Sequence, residues 1–329
     1  AQYSGSNIPS SELWSNEEIF FVQYSHKVSD KVRISFQPGI SALQYQQKLG
    51  DKISTFSPRL DTRLTVNLPQ GQYIVTSCNI GNSFPNIASL TTAEQPVNNL
   101  HVIRGNPYID NTKLYKLMTI YGKNTNKFGL QAIAQYQYNH HIPISSYVQE
   151  DNVIIESWST DEDAHYFNSF VSFSYRPIKT VTLQLSGGYN LYNYTGVQSA
   201  KTHGLDCKLD FIYYYHNVAL NAFINTPQKV MGMDLARVET PWKYGARINY
   251  NIGQWLIEIG INNPFLKGNK YGFKSYNQIY NYNYKLTSRS AGCSGFIKLA
   301  FNFEFGKHIK RSEIEKQKIE IENTILKVH

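Results

Sequence analysis

The stretch VTLQLSGGYNLYNY (Val181–Tyr194) alternates residue by residue. Val181, Leu183, Leu185, Gly187, Tyr189 and Leu191 form one set. Thr182, Gln184, Ser186, Gly188, Asn190 and Tyr192 form the other. Successive side chains of a strand point to opposite faces, so this is a strand with one apolar and one polar side. A soluble sheet would seal the apolar side against a protein core. A membrane barrel would turn it to lipid. The function turns on that choice.

Six further segments repeat the pattern with period two. From Arg59 to Leu68 the apolar-leaning set is Leu60, Thr62, Leu64, Val66 and Leu68. From Phe128 to Asn139 it is Phe128, Leu130, Ala132, Ala134, Tyr136 and Tyr138. Gly204–Tyr215, Trp242–Asn251, Trp255–Asn262 and Cys293–Phe305 continue the series. The opposite sets carry Arg59, Asp61, Arg63, Asp206, Lys208, Asp210, Lys243, Arg247, Glu258, Lys298 and Glu304, whereas the apolar sets carry no charge. Lipid enforces such a contrast, because a Lys or Arg on the lipid face costs roughly 2–4 kcal/mol at the midplane while a lumen position can be wet. Those eleven residues are therefore expected to face a lumen.

Composition agrees with a sheet at a membrane. Aromatic residues make up 14% of the 329, with 25 Tyr and 17 Phe. Charged residues are 17%, against about 25% in ordinary soluble domains. Tyrosine suits strands and the aromatic girdles of barrels. Mean hydropathy is −0.40, and no run approaches the roughly 18 apolar residues of a helical span. A barrel strand needs only about 9–11 residues, every second one polar. The net charge of +8 is spread along the chain rather than gathered into a basic block, so no nucleic-acid partner is expected. Cys78, Cys207 and Cys293 are odd in number and widely spaced, which gives neither a disulfide framework nor a zinc pattern. The chain opens Ala1-Gln2 without Met, so an upstream segment is expected to have been removed.

Weaker alternation fills the gaps at Ile19–Val28, Lys31–Leu43, Tyr73–Gly81, Lys113–Tyr121, Tyr166–Arg176 and Val218–Gln228. This predicts thirteen antiparallel strands between residues 19 and 305. Short turns at Ser29-Asp30, Pro69–Gly71, Asn124–Lys127, Pro177–Lys179, His216-Asn217 and Ile252-Gly253 alternate with long loops. The long ones are Gln44–Phe56, Asn82–Asn111, His140–His165, Thr195–His203, Lys229–Pro241 and Asn263–Arg289. Outer-membrane barrels are built this way, with long loops outside the cell and short turns in the periplasm. Thirteen strands cannot close with every neighbour antiparallel. Either residues 1–18 hide a strand, or earlier strands lie outside this chain. Residues 306–329 form a charged periplasmic tail, where SEIE (Ser312–Glu315) reads as a capping box and Ile314, Lys318, Ile321 and Ile325 follow helical spacing.

Catalysis and metal binding find little support. His140-His141 with His165 suggests a metal cluster, but consecutive residues of a strand point to opposite faces. Asp161-Glu162-Asp163 lacks the spacing of a calcium loop and reads as a solvated acidic tip. No nucleophile elbow, P-loop or dinucleotide fingerprint occurs. No enzyme activity, cofactor or metal site is therefore expected. One loop stands out. YGFKSYNQIYNYNY (Tyr271–Tyr284) holds Tyr271, Phe273, Tyr276, Tyr280, Tyr282 and Tyr284 and no acidic residue. It predicts either a stacking surface for a flat ligand or sugar ring or a headgroup girdle.

Three motifs then carry a family likeness. IRGNPYIDNTKLYKL (Ile103–Leu117) resembles the Arg-Gly-Asn-Pro-x-Leu segment leading into a strand of Bacteroidetes-type TonB-dependent receptors, with Ile109 where Leu is usual. GINNPFL (Gly260–Leu266) resembles their penultimate strand and its exit to the last loop. LAFNFEFGKHIKR (Leu299–Arg311) resembles their closing strand and the basic stretch after it. The resemblance implies a 22-stranded outer-membrane barrel with an N-terminal plug, coupled to TonB and importing siderophores, cobalamin or glycans. This chain would be the C-terminal thirteen strands. Its expected partners are outer-membrane lipid and lipopolysaccharide, the N-terminal barrel and plug segment missing here, TonB indirectly, and a surface lipoprotein. Two other readings stand beside it. One is a complete fourteen-stranded channel or structural barrel, with a strand in residues 1–18. The other is a soluble β-sandwich, whose apolar faces would meet in a core.

Overall fold

The computed structural model describes residues 2–5, 8–47, 52–232, 234–276, 279 and 281–303. Glu304, Tyr280 and the charged tail lie outside the described residues.

The fold is an antiparallel sheet of thirteen long strands. They are β1 (Ile8–Phe21, resuming as Tyr24–Lys27), β2 (Val32–Gln47), β3 (Lys52–Leu68), β4 (Gln72–Ser83), β5 (Thr112–Asn124), β6 (Phe128–Glu150) and β7 (Val153–Ile178). They continue as β8 (Val181–Thr195), β9 (Ala200–Tyr215), β10 (Val218–Asn225), β11 (Lys243–Ile252), β12 (Trp255–Asn262) and β13 (Ser294–Phe301). Each pairs with its neighbour in sequence. The strands expected from alternation are those of the sheet. Among the described residues, β13 pairs only with β12, and the first residues of β1, Ile8–Glu12, pair with a four-residue strand, Gln2–Gly5.

Several strands run well past the membrane-sized segments that alternation marks. β1 begins at Ile8: Ile8–Glu12 pair with the short strand Gln2–Gly5, and Leu13–Phe21 pair with β2, so residues 2–18 hold a four-residue strand and an extension of the first long one. β6 and β7 have 23 and 26 residues. At about 3.3 Å per residue, β7 measures roughly 85 Å along the chain, far more than a tilted strand needs to cross an apolar band about 25 Å tall. The β6–β7 hairpin therefore projects beyond the band. Most of the expected loop between His140 and His165 is strand.

The short turns hold the register. His216 has φ 49° and Gly253 φ 58°, the left-handed backbone that two-residue hairpins demand. At the other end, connections between strands carry structure of their own. Residues 101–103 form a short strand parallel to Ile154–Glu156 of β7. Lys229–Met231, Arg237–Glu239, Asn269–Tyr276 and Asn281–Ser288 form a separate four-stranded sheet.

These connections fold onto one face of the main sheet. Leu90 and Ile109 pack on Leu43 and Tyr45 of β2, with Trp158 beside them. Leu235 packs on Ile142, Ile144, Ala164 and Tyr194, with Met231 against the cluster. Leu90 and Ile144 are fully buried, and such burial contributes about 1.5–3 kcal/mol per side chain. The opposite face stays open. Leu220, Ile248, Ile259 and Ile297 form one row across four strands. One residue along, on the face that receives the loops, the row reads Ala219, Asn249, Glu258, Lys298. No second layer covers Leu185, Ile248, Ile259 or Leu299, which are among the exposed hydrophobic residues.

Candidate functional site

Charged side chains gather on the loop-bearing face. Strand register puts Arg59, Asp61, Arg63, Asp206, Lys208, Asp210, Lys243, Arg247, Glu258 and Lys298 on it. Arg59 pairs with Glu17 on β1 at 3.0 Å. Asn79 donates to Asp61. Asn190 Nδ2 donates to Asp206 at 2.9 Å. Lys208 and Asp210 form an ion pair at 3.0 Å, and Glu258 stands directly opposite Lys298. Glu258 and Lys298 thus present opposite charges across neighbouring strands, and Asp61, Asp206 and Asp210 each have a polar or charged partner.

At the loop end of β10–β12 that pattern breaks. A cavity of about 310 Å³ is lined there by Phe223, Asn225, Lys243, Arg247, Asn262 and Tyr271, among others, and by no carboxylate. Gly245 lies between Lys243 and Arg247 on the same face. A Cβ at Gly245 would come within 2.3 Å of the Ile261 carbonyl oxygen, so the gap between the two cations needs glycine. The Arg247 guanidinium sits 5.3 Å from the centre of the Phe223 ring. A larger cavity of about 420 Å³ lies further along the same strands, lined by Lys208 and Arg247 but also by Asp210 and Glu258.

Asn263 builds the rim of the first cavity. It follows β12 in the GINNPFL motif with φ 47°, a conformation asparagine tolerates better than most residues. Its Oδ1 accepts from Tyr244 N at 3.0 Å, and its Nδ2 donates to the Ala291 carbonyl at 3.0 Å. Asn269 Nδ2 donates to the same carbonyl at 2.7 Å. The exit of β12, the start of β11 and the approach to β13 are thereby tied together. Sequence reasoning missed this residue, although an Asn before proline in a loop is a turn signal.

The separate loop sheet closes one side. Its register puts Tyr271, Phe273, Tyr282 and Tyr284 on one face. Phe273 and Tyr284 stack at 4.8 Å between centroids. Tyr282 donates to Asp234 Oδ2 at 3.3 Å, and Ser275 Oγ to the Asp234 carbonyl at 3.3 Å. Burial and the Asp234 charge push the Tyr282 phenol up to about 12, so it remains a neutral donor. Of the six aromatics singled out in sequence, Tyr271 reaches the cavity.

Two sequence expectations are corrected on β6 and β7. His140 and His141 do not point apart: their rings stack at 3.8 Å between centroids. His141 has φ 58°, and the register shifts between Asn139 and Ile142. A bulge of this kind breaks the alternation on which the expectation rested. His140 Nδ1 meets Asp163 at 2.8 Å, and His141 Nδ1 meets Asp110 at 3.3 Å. Nor is Asp161-Glu162-Asp163 a solvated tip. It lies within β7, and Glu162 is 1% exposed, accepting from Gln198 N at 3.1 Å. Among the described residues no group of three His, Cys, Asp or Glu side chains is arranged to hold a metal.

The Arg-Gly-Asn-Pro segment is clasped to this hairpin. Asn106 Nδ2 donates to the Trp158 carbonyl at 3.0 Å. Asp110 N donates to Thr160 Oγ1 at 3.2 Å. His101 and Glu156 pair at 3.0 Å.

No family model matches the chain, and no curated protein matches it. Solved structures do. The copper transporter OprC aligns with 90% of this chain and 49% of its own length, at a TM-score of 0.69 and 13% identity. The FrpB iron transporter from Neisseria meningitidis (F3-3 variant) aligns with 90% of this chain and 45% of its own, at 0.62 and 9%. The ferric enterobactin receptor PfeA aligns with 90% and 46%, at 0.58 and 13%. The chain spans about half the length of the structures it matches. At these identities the likeness is one of fold, and the fold is that of a TonB-dependent-receptor-like barrel.

Proposed function

We propose that the chain forms barrel wall of an outer-membrane receptor that imports a nutrient by TonB-dependent transport, in a Gram-negative bacterium of the Bacteroidetes kind. One observation carries the reading: the mainly apolar face of the sheet is exposed and uncovered, while the face with most of the strand charges receives the loops. A protein surface so apolar demands lipid or a partner, and a spanning sheet must also satisfy its backbone internally. The loop-covered face would then line the solute path. The copper, iron and ferric-enterobactin assignments of the similar structures support import of a scarce nutrient. The plug, the contact with TonB and any surface lipoprotein enter as partners of this wall. The chain acts by binding and passage rather than by catalysis.

Fractionation with protease accessibility tests the reading. The full chain is expected in the outer membrane, cleaved from outside within 263–289 and protected at the 216–217 and 253–254 turns. Recovery in the soluble fraction without detergent would refute it.

A further inference from the structure

We infer that the cavity beside Tyr271 is a subsite for a hydroxylated dicarboxylate, with Lys243 and Arg247 as its two anion-binding groups. The inference rests on the receptor reading above and names the class of solute for its mouth. Four observations converge. First, the cavity is lined by two cations and no carboxylate. Among the described residues neither Lys243 nor Arg247 forms an ion pair, in contrast to Lys208, which is held by Asp210 at 3.0 Å.

Second, the two cations are four residues apart on one face of β11, about 13 Å along the strand at 3.3 Å per residue. The residue between them on that face is Gly245, which adds no side chain. Arg247 leans over Phe223, which stands opposite Gly245, so the cationic ends come closer than their backbones and can meet a short ligand with a negative group at each end. Third, Phe223 lies against Arg247. Stacking leaves the edge of a guanidinium free, and that edge carries the donors that grip a carboxylate in pairs.

Fourth, Asn225 Oδ1 is buried without a hydrogen-bond partner. It lines the same cavity and stands directly opposite Lys243. A buried acceptor left unpaired is costly. A ligand hydroxyl beside the carboxylate at the Lys243 end would donate to it. The larger cavity further along the strands carries both signs of charge and has no such preference.

The test is titration of tartrate, succinate and glycerol onto the full chain in detergent, with insertion into lipid vesicles measured on the same preparation. Tartrate and succinate share a carbon skeleton, and only tartrate has hydroxyls. The wild type should bind tartrate more tightly than succinate and glycerol least. Lys243→Gln and Arg247→Gln should each weaken tartrate about tenfold or more. Lys208→Gln, in the balanced cavity, should leave affinity unchanged. Equal tartrate affinity in wild type and both cavity variants overturns the subsite, as does a wild type that ignores tartrate or takes glycerol as well. In those cases a chain that still inserts leaves the receptor reading standing. A chain that fails to insert overturns both.

Discussion

Ile259 on β12 lies directly across from Ile297 on β13, and the two are 50% and 72% exposed. One residue away, on the other face, Glu258 lies across from Lys298. Two isoleucines that cover each other in a sandwich core would be buried. Here they remain bare while the charged pair turns toward the loops. This single step along two strands argues against a core sealed between two sheets.

The same step on β8 gives a clean test. Leu185 is 55% exposed on the uncharged face. Gln184 next to it donates to Ser172 Oγ at 3.1 Å on the charged face. Leu185→Arg should cost roughly 2–4 kcal/mol in a bilayer and sharply reduce the inserted fraction. Gln184→Arg should insert like the wild type. A vesicle-insertion assay reads both, and equal insertion of the two variants contradicts the assigned faces.

Glu162 and Asp163 are neighbours on β7 with opposite shifts. Burial raises the Glu162 carboxyl, partly offset by the Gln198 N–H. Burial also opposes ionisation of Asp163, but hydrogen bonds from Tyr138, His140 and the His141 N–H outweigh it and hold that carboxyl below its ordinary value. Linkage gives each a sign. Stability from Glu162 is present below the unfolded carboxylate value and lost as pH rises through the raised one. Stability from Asp163 is present above the unfolded value and lost as pH falls through the lowered one. Glu162→Gln should therefore make the β6–β7 hairpin more protease-resistant at neutral pH, and Asp163→Asn less so. Limited proteolysis at pH 4, 6 and 8 checks it. A hairpin whose neutral-pH resistance Glu162→Gln leaves unchanged would discount the buried carboxyl.

Asn106 clasps its loop to the same hairpin. Its Nδ2 bonds the Trp158 carbonyl, and its Oδ1 accepts from Tyr108 N at 3.0 Å. Asn106→Ala removes both, at about 0.5–1.5 kcal/mol each. Tyr108 is 77% exposed and a ready chymotrypsin site. Cleavage after Tyr108 should become several-fold faster in Asn106→Ala. An unaltered rate would show that the short parallel pairing at residues 101–103 holds the loop by itself.

The wall of this fold was legible in the sequence because every second residue of a strand shares one face. An apolar face free of charge on the seven clearest segments is hard to mistake, and strand number, order and short turns follow from the alternation. What lies beyond the apolar band was not legible. There loops cover one side of β6 and β7, so the apolar and polar sets no longer separate by face and alternation fades while hydrogen bonding continues. Ile142 and Ile144 are core residues only because Leu235 arrives from a distant loop, and nothing local announces that. The cavity was half legible. Lys243, Arg247 and Tyr271 were each marked, as wall charges and a loop aromatic, but their meeting depends on how residues 263–291 fold back. A left-handed residue such as His141 likewise leaves no period to read.

That fold-back depends on Asn263, which makes it the sharpest place to test how the cavity is built. One side chain joins Tyr244 N to the Ala291 carbonyl, and its backbone is left-handed. Asn263→Ala removes two hydrogen bonds and places a Cβ residue without a side-chain amide at φ 47°. The two effects together should cost roughly 1–3 kcal/mol. Asn263→Gly keeps the backbone relaxed and loses only the bonds, so it should lie between alanine and the wild type. The wild-type order of unfolding midpoints in urea should then be Asn, Gly, Ala. Tartrate affinity should fall in the same order, because Tyr271 and the Asn269 rim lose their anchor while Lys243 and Arg247 stay in place on β11. A variant that unfolds like the wild type yet keeps full tartrate affinity would show that the rim is held elsewhere, by Asn269 and the loop sheet.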